Sequence, residues 1–360
     1  MQHYLSMSKQ DYRQWATDAG EKAFRGDQIA GWIYGRGATA PSAMTNLSKS
    51  LRLKLAEGLD WSLPAVHQSF ESTDGTSRLL LRMHDGRLCE TVIMRYEGRT
   101  TLCVSSQLGC RLACSFCQTG KTGFFRQLST GEIVGQVALG NQILNEAGHK
   151  PVSHVVFMGM GEPLDNYEEV IKATNLLLDP DGFGLSARHV TLSTSGIVPR
   201  IHDLIRDTRA SLAVSLHAAD DALRTKLMPV NRRYPLAELK TALRAWQAGT
   251  GRKITIEYIL IRGENAGRSH AKSLVRFLQG LRARVNLIPF NPHPGMPWEK
   301  PTTEEIAAFQ QFLSSRSIPA PVRYSRGPEI SAACGQLAAK QSHNMDDAPG
   351  RANITAALSD

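Results

Sequence analysis

Three of the six cysteines stand in one short run, Gly109-Cys110-Arg-Leu-Ala-Cys114-Ser-Phe116-Cys117-Gln118. The spacing C-x3-C-x2-C lets a short loop turn three thiolates toward one point. That is metal or cluster geometry rather than disulfide geometry. Soft thiolates select zinc, copper(I) or iron–sulfur clusters. Structural zinc wants four protein ligands, and no fourth Cys or His follows at finger-like spacing. Clusters usually show four cysteines, so a [4Fe-4S] cubane on three would keep one iron open to bind and activate a small molecule. The spacing points first to that open cubane, with zinc and three unrelated buried cysteines as the alternatives.

Other candidate residues follow apolar runs that read as strands. Gly159-Met-Gly161-Glu162-Pro163 would let a ligand approach the backbone closely. Ser193-Thr-Ser195-Gly196, Ser215-Leu216-His217 and Pro289-Phe-Asn291-Pro292 occupy equivalent places further on. A lone histidine such as His217 is more often structural than a ligand. Four polar or glycine-rich strand ends in one fold together argue for a site. Cys334 lies between Ala333 and Gly335. It reads either as a small buried apolar residue or, from its flanks, as part of a flexible exposed loop. Cys89 reads as an ordinary apolar strand residue, and Glu90, judged from its neighbours alone, as an exposed strand carboxylate.

The elements that must position these residues change character along the chain. Residues 1 to about 68 read as helical, with helices over Phe24–Tyr34, ended by Gly35 and Gly37, and over Ser48–Leu59. From Ser77 the period becomes that of strands. Arg78–Met83 and Glu90–Arg95 flank Asp85-Gly86, a tight-turn signal, and Thr101–Ser105 leads into the cysteine loop. Ser129-Thr-Gly-Glu132 is a capping box opening a helix over Ile133–Asn145. Strands are then expected at Val152–Met158, Val190–Ser193, Ala210–Ser215, Lys253–Ile261 and Val285–Pro289. Helices are expected at Tyr167–Leu178, Pro199–Asp207, Leu236–Trp246, Ser269–Leu281 and Thr303–Arg316. Such alternation predicts an α/β fold with parallel strands, open or barrel-like, and ligands sit at the carboxyl ends of such strands.

At 360 residues the chain fits one large domain plus an accessory one. No apolar run approaches the ~18 residues that span a bilayer. The start has neither a basic region nor an apolar core, so no secretory signal is expected. Clustered thiols suit a reducing cytoplasm. Between Arg200 and Arg284 stand 17 Lys and Arg against 7 Asp and Glu, which accounts for the net charge of +9. A concentrated basic surplus suits a polyanion such as RNA, and solvated helix faces would explain it equally well. Beyond about Lys340 the polar tail is expected to be disordered.

The cysteine loop, with an aromatic before its last cysteine, resembles that of radical S-adenosylmethionine (SAM) enzymes. Gly161-Glu162-Pro163 resembles that superfamily's SAM-contacting motif. The finer resemblance is to RNA adenosine C2-methyltransferases of the RlmN type. It is carried by Trp32-Ile-Tyr-Gly-Arg36-Gly, Met44-Thr-Asn-Leu-Ser48-Lys, Leu102-Cys103-Val-Ser-Ser-Gln-Leu-Gly109-Cys110, Val156-Phe157-Met158-Gly159-Met-Gly-Glu162-Pro and Ala332-Ala-Cys334-Gly-Gln-Leu337. It spans roughly residues 22 to 338. Leu260-Ile-Arg262-Gly-Glu264 and the loop after Asn291 depart from the pattern, which bears on substrate preference.

The resemblance implies a partial (βα)6 TIM-like barrel with an N-terminal helical accessory domain. The expected division is 1–70 as an RNA-contacting helical domain, 71–95 as a linking β-hairpin, 96–338 as the barrel with its C-terminal cysteine loop, and 339–360 as tail. It further implies that Cys110, Cys114 and Cys117 hold one [4Fe-4S] cluster. Gly161, Glu162, Pro163, Ser195, Ser215, Leu216, His217 and Asn291 would line the SAM site. Cys334 would carry a methyl group, Cys103 would release product through a transient disulfide, and Glu90 would accept a proton, which reverses its exposed reading. Two SAM molecules per turnover, 23S rRNA and adenosine 37 of tRNA as substrates, an electron donor such as flavodoxin or ferredoxin, and a cytoplasmic monomer complete the expectation. The competing readings are a C8-type adenosine methyltransferase, a radical SAM enzyme acting on something other than RNA, and a non-catalytic zinc- or RNA-binding module.

Overall fold

Capped helices alternate with apolar strands through most of the chain, and the computed structural model describes residues 1–293, 295–333 and 335–337. Cys334 therefore lies outside the described residues, as does the expected tail. The N-terminal part comprises β1 (Gln2–His3), α1 (Lys9–Asp18), α2 (Phe24–Ala30), α3 (Lys49–Gly58) and β2 (Leu59–Asp60), with β1 parallel to β2. Ser8 opens α1 with a capping box: its hydroxyl accepts from Asp11 N at 3.1 Å, and Asp11 accepts from Ser8 N at 2.7 Å. α2 crosses α1 so closely that a Cβ on Gly26 would strike the backbone of Tyr12 and Arg13.

An antiparallel meander follows: β3 (Ala65–Glu71), β4 (Thr76–Arg82), β5 (Leu88–Tyr96) and β6 (Arg99–Cys103). β3 begins inside the span read as helical. Its side chains are almost all exposed, so it lacks the apolar alternation that marks a strand, and pairing with β4 supplies its order. The exposed reading of Glu90 from its neighbours fails as well. β5 lies between β4 and β6, and every residue from Leu88 to Ile93 is buried.

β7 (Gln107–Gly109) and β8 (Phe124–Gln127) form a two-stranded ribbon that brackets the cysteine loop and the short α4 (Gln118–Lys121). Gly109 adopts φ +76°, and a Cβ there would collide with the carbonyl of Gly123. Next come α5 (Thr130–Glu146), β9 (His154–Phe157), α6 (Tyr167–Leu178), β10 (Val190–Thr194), α7 (Val198–Asp207) and β11 (Ser211–Ser215). The series ends with α8 (Asp221–Leu227), α9 (Leu236–Thr250), β12 (Ile254–Leu260), α10 (Arg268–Leu278), β13 (Ala283–Pro289) and α11 (Thr303–Ser314). The Ser129–Glu132 capping box is present at α5. The expected strands and helices after it all form, their ends moving by no more than about one turn.

Among the described residues the main sheet has nine strands in the order β13-β12-β11-β10-β9-β6-β5-β4-β3. The six from β6 to β13 run parallel and carry their helices between them, while β5, β4 and β3 extend the sheet antiparallel. This is the expected α/β architecture, a partial (βα)6 barrel. The sheet must curl, because one cavity takes wall residues from β9, β10, β11, β12 and β13 at once. Among the described residues, no helix is long and apolar enough to cross a membrane.

Candidate active site

All three loop cysteines line that cavity, whose interior is about 170 Å³ and which opens to solvent on one side. Local bonds set the loop. Cys110 N donates to Gly123 O at 2.9 Å, Cys117 N to Cys114 O at 3.1 Å, and Ser115 N to Leu227 O at 2.9 Å, where α8 ends. Ala113 sits at φ +50°, and Phe116 meets the His217 ring edge-on at 4.8 Å. Burial pushes the Cys110 and Cys114 thiols well up, and repulsion from the neighbouring thiols adds to it. Three such thiolates need a cationic group to share. All three thiols line one cavity and lie near enough for their charges to repel, a donor set that fits a thiolate-held cluster.

The strand ends complete the wall. Gly161 stands at φ +99°, and a Cβ there would lie 2.6 Å from Gln107 Cβ. Glu162 is buried, and its carboxylate is occupied by backbone. Oε2 accepts from Ser195 N at 2.8 Å and Oε1 from Leu164 N at 3.1 Å, so Glu162 ties the end of β9 to the end of β10. Burial raises its carboxyl, and these hydrogen bonds work against the rise. Pro163, Ser195, Ser215 and His217 also line the cavity. His217 Nδ1 accepts from Ile259 N at 3.1 Å, which leaves the proton of the neutral ring on Nε2. Burial first, then the nearby Arg224 charge, pushes this imidazole down to about 3, so it stays neutral.

Two expected residues stand apart from the wall. Leu216 is fully buried in the main core, and Asn291 donates from Nδ2 to Ser325 Oγ at 2.7 Å. Two residues of the site, one behind the wall and one in it, were not read from the sequence. Arg224 is fully buried and donates to the carbonyls of Ser195 (2.5 Å), Leu216 (3.2 Å) and Ser215 (3.4 Å) and to Asn231 Oδ1 (2.8 Å). It straps the ends of β10 and β11 together, and nothing local in its helix signals this. Glu257 lines the cavity from β12 and binds Asn286. A lone acid inside Ile254-Thr-Ile-Glu257-Tyr-Ile was the available signal.

The antiparallel edge carries the remaining candidates. Glu90 is fully buried and ion-paired with Arg78, whose guanidinium also lies 4.0 Å from the Phe70 ring centroid. Ser105 Oγ donates to Glu90 O at 2.6 Å, and Thr91 Oγ1 to Cys103 O at 2.7 Å. Cys103, opposite Val92 in the register, packs in an apolar cluster with Leu88, Val92, Met160, Ala332 and Leu337. Gly335 and Leu337 both line the cavity, and their carbonyls accept from Gln118 N at 2.7 Å and Thr119 Oγ1 at 2.6 Å on α4. The residues flanking Cys334 thus touch both the cysteine loop's helix and the cluster that holds Cys103.

Family models match at two places: the Radical SAM superfamily over residues 104–275, and the ribosomal RNA large subunit methyltransferase N-terminal domain over residues 3–59. A dual-specificity RNA methyltransferase RlmN from Syntrophobacter fumaroxidans is 45% identical over 331 residues, 92% of this chain and 96% of its own. One from an Anaeromyxobacter species is 46% identical over 327 residues, 89% of this chain and 86% of its own. The crystal structure of a radical SAM methyltransferase from Sphaerobacter thermophilus superposes with TM-score 0.91 at 44% identity, covering 94% of this chain and all of that one.

Proposed function

The chain belongs to the RlmN family of radical SAM RNA methyltransferases, and from that membership we propose that it methylates C2 of an adenosine in 23S ribosomal RNA and of adenosine 37 in tRNA, by way of a methylated Cys334. C2 of adenine is electron-poor, so direct displacement on SAM fails there and a radical addition is required. When bound by Cys110, Cys114 and Cys117, the cluster supplies an open iron for the amino and carboxylate groups of SAM and the electron for its reductive cleavage. Cys334 first takes a methyl group from one SAM by ordinary thiolate displacement. A second SAM is spent in drawing a hydrogen atom from that S-methyl group, and the activated carbon adds to C2. The adduct, an odd-electron species, would return one electron to the oxidised cluster and give its C2 proton to Glu90. Cys103 then attacks the sulfur of Cys334; the S–S bond forms as the C–S bond breaks, and the departing carbon takes up a proton to become the methyl group of the released base. The target adenine must leave its stack to be reached, and RNA loops offer such bases most readily.

The observation that supports this reading is the pairing of neighbourhoods. Gly335 and Leu337, on one side of Cys334, line the cavity of the three cysteines, while Leu337 and Ala332 pack with Cys103. A disulfide needs Cα atoms within about 7 Å, which such packing favours. The test is a denaturing gel with labelled RNA. Cys103→Ala should hold RNA covalently through the Cys334 methylene, and Cys334→Ala should make no 2-methyladenosine. Normal turnover by the first variant, or product from the second, would refute the methyl-carrier route.

The proposal extends to a flavodoxin or ferredoxin as electron donor and to a monomer working in the cytoplasm, where its RNAs are. Residues 1–70 and the basic 200–284 segment would contact RNA. Arg232 and Arg233 are exposed. Reversing both charges should flatten the salt dependence of RNA binding by about 1–2 units of log–log slope, and an unchanged slope would assign these charges to solvation alone.

A further inference from the structure

Ser215, Glu257 and Asn286 stand opposite one another in register on β11, β12 and β13, so their side chains share one face of the sheet. Ser215 and Glu257 show that this face is the cavity wall. Glu257 is 6% exposed and Asn286 3%. Asn286 Nδ2 donates to Glu257 Oε1 at 2.8 Å, which fixes both side chains. Two acceptors remain. Asn286 Oδ1 is buried without a hydrogen-bond partner among the described residues, and none of them bonds Glu257 Oε2. Arg284 and Arg323 are near enough to feel the carboxylate's charge but form no ion pair with it. Glu257 lines the cavity, and its Oε2 is not closed off as Asn286 Oδ1 is, so that oxygen opens to the cavity and can accept from a ligand. One carboxylate oxygen accepts more than one hydrogen bond, so this wall suits a ligand that brings donors in an adjacent pair.

SAM has few such groups. In the reading above, its amino and carboxylate groups go to the open iron. The adenine edge alternates donor and acceptor. The ribose alone presents two hydroxyls on neighbouring carbons. We propose that Glu257, held in place by Asn286, accepts the 2′- and 3′-hydroxyls of SAM and so sets how deeply the nucleoside sits in the cavity. The inference rests on the SAM-dependent reading, and its test separates the two.

Equilibrium binding is measured on iron-replete, anaerobic protein without reductant, so that nothing turns over. The probes are SAM, its 2′-deoxy and 3′-deoxy analogues, and N6-methyl-SAM. Wild type should bind each deoxy analogue about 10- to 100-fold more weakly than SAM, the range for a hydrogen bond to a charged group. In Glu257→Gln and in Asn286→Ala that ratio should shrink to a few-fold at unchanged iron content. Because the ratio is taken within each variant, a general loss of affinity does not mimic the result. A wild type indifferent to the missing hydroxyls, or a ratio unchanged in both variants, overturns the assignment. So does discrimination only against N6-methyl-SAM, which would place the carboxylate at the adenine. Iron-replete wild type that binds no SAM would instead refute the family reading, and the assignment with it.

Discussion

The parallel half of the sheet and its antiparallel edge treat buried charge in opposite ways. At the ends of the parallel strands the charges are met by neutral groups, mostly backbone. Glu162 takes two main-chain N–H groups, and Arg224 gives to three carbonyls and forms no ion pair with a carboxylate among the described residues. Both lie where strands end, which is where peptide groups lack ladder partners. On the antiparallel edge, side chains neutralise one another: Arg78 pairs with the buried Glu90, and Arg326 with the more exposed Asp74. The first arrangement stiffens a wall and leaves its thiols and its Glu257 oxygen to be completed by a ligand. The second is complete by itself and fastens distant segments to the sheet. The difference predicts that damage to the parallel half is felt in ligand binding, and damage to the edge in stability or in placement of the C-terminal segment.

The largest expected effect belongs to the parallel half. Anaerobic wild type should hold about four irons per chain. Cys114→Ala should lose the iron and all SAM cleavage while keeping its fold by circular dichroism. Stoichiometric zinc in place of iron in the wild type would break the comparison at its root.

Next comes the edge pair. Arg78→Met takes the ion-pair partner from the buried Glu90 carboxylate and should cost about 3 kcal/mol in denaturant unfolding. Replacing both residues, as in Arg78→Met with Glu90→Leu, should recover most of that loss, because no buried charge then lacks its counter-charge. Methylation should be absent in the double variant. Iron content should stay at the wild-type level in both, since no cluster ligand is touched. If the double variant were as unstable as the single, the pair would not be the self-contained unit described above.

What could be read from the sequence divides along the same line. Local signals carried the parallel half: the cysteine spacing, the Ser129–Glu132 capping box and the strand–helix alternation each lie within one element or its flanks. Glu90 failed because its burial depends on β4 and β6, which pair with it from elsewhere in the chain. β3 was hidden because an exposed edge strand needs no apolar alternation. Arg224 was invisible because its partners are carbonyls, which every residue owns, and Ser195 lies 29 positions away. Glu257 did carry a signal, an acid inside an apolar strand. Its meaning required Asn286 on the next strand.

The smallest effect tests the fastening role of the edge. Asp74, in the turn between β3 and β4, accepts from Arg326 Nε at 3.2 Å and from Gly327 N at 3.1 Å, and Arg326 also donates to Arg95 O at 2.7 Å. These bonds hold the segment that leads into Cys334. Burial alone would raise the Asp74 carboxyl, but hydrogen bonds from Thr76, Gly327, Ser72 and Arg326 outweigh it and hold the group down at about 2. A carboxyl depressed on folding contributes fully above its unfolded value near 4, and that contribution is lost as pH falls through about 2. At neutral pH the tether is therefore fully charged. The Asp74 side chain is 35% exposed, so solvent screens the pair and its worth is at most about 1 kcal/mol. Asp74→Asn keeps an acceptor but removes the charge. Amide exchange over residues 323–330 should rise by up to about fivefold, as that energy allows. RNA methylation should fall by no more than that factor, with iron content and RNA-free SAM cleavage unchanged. Faster exchange without any loss of methylation would mean that the bonds of Gly335 and Leu337 to α4 suffice for the reaction, and that the edge fastens a segment the reaction does not need.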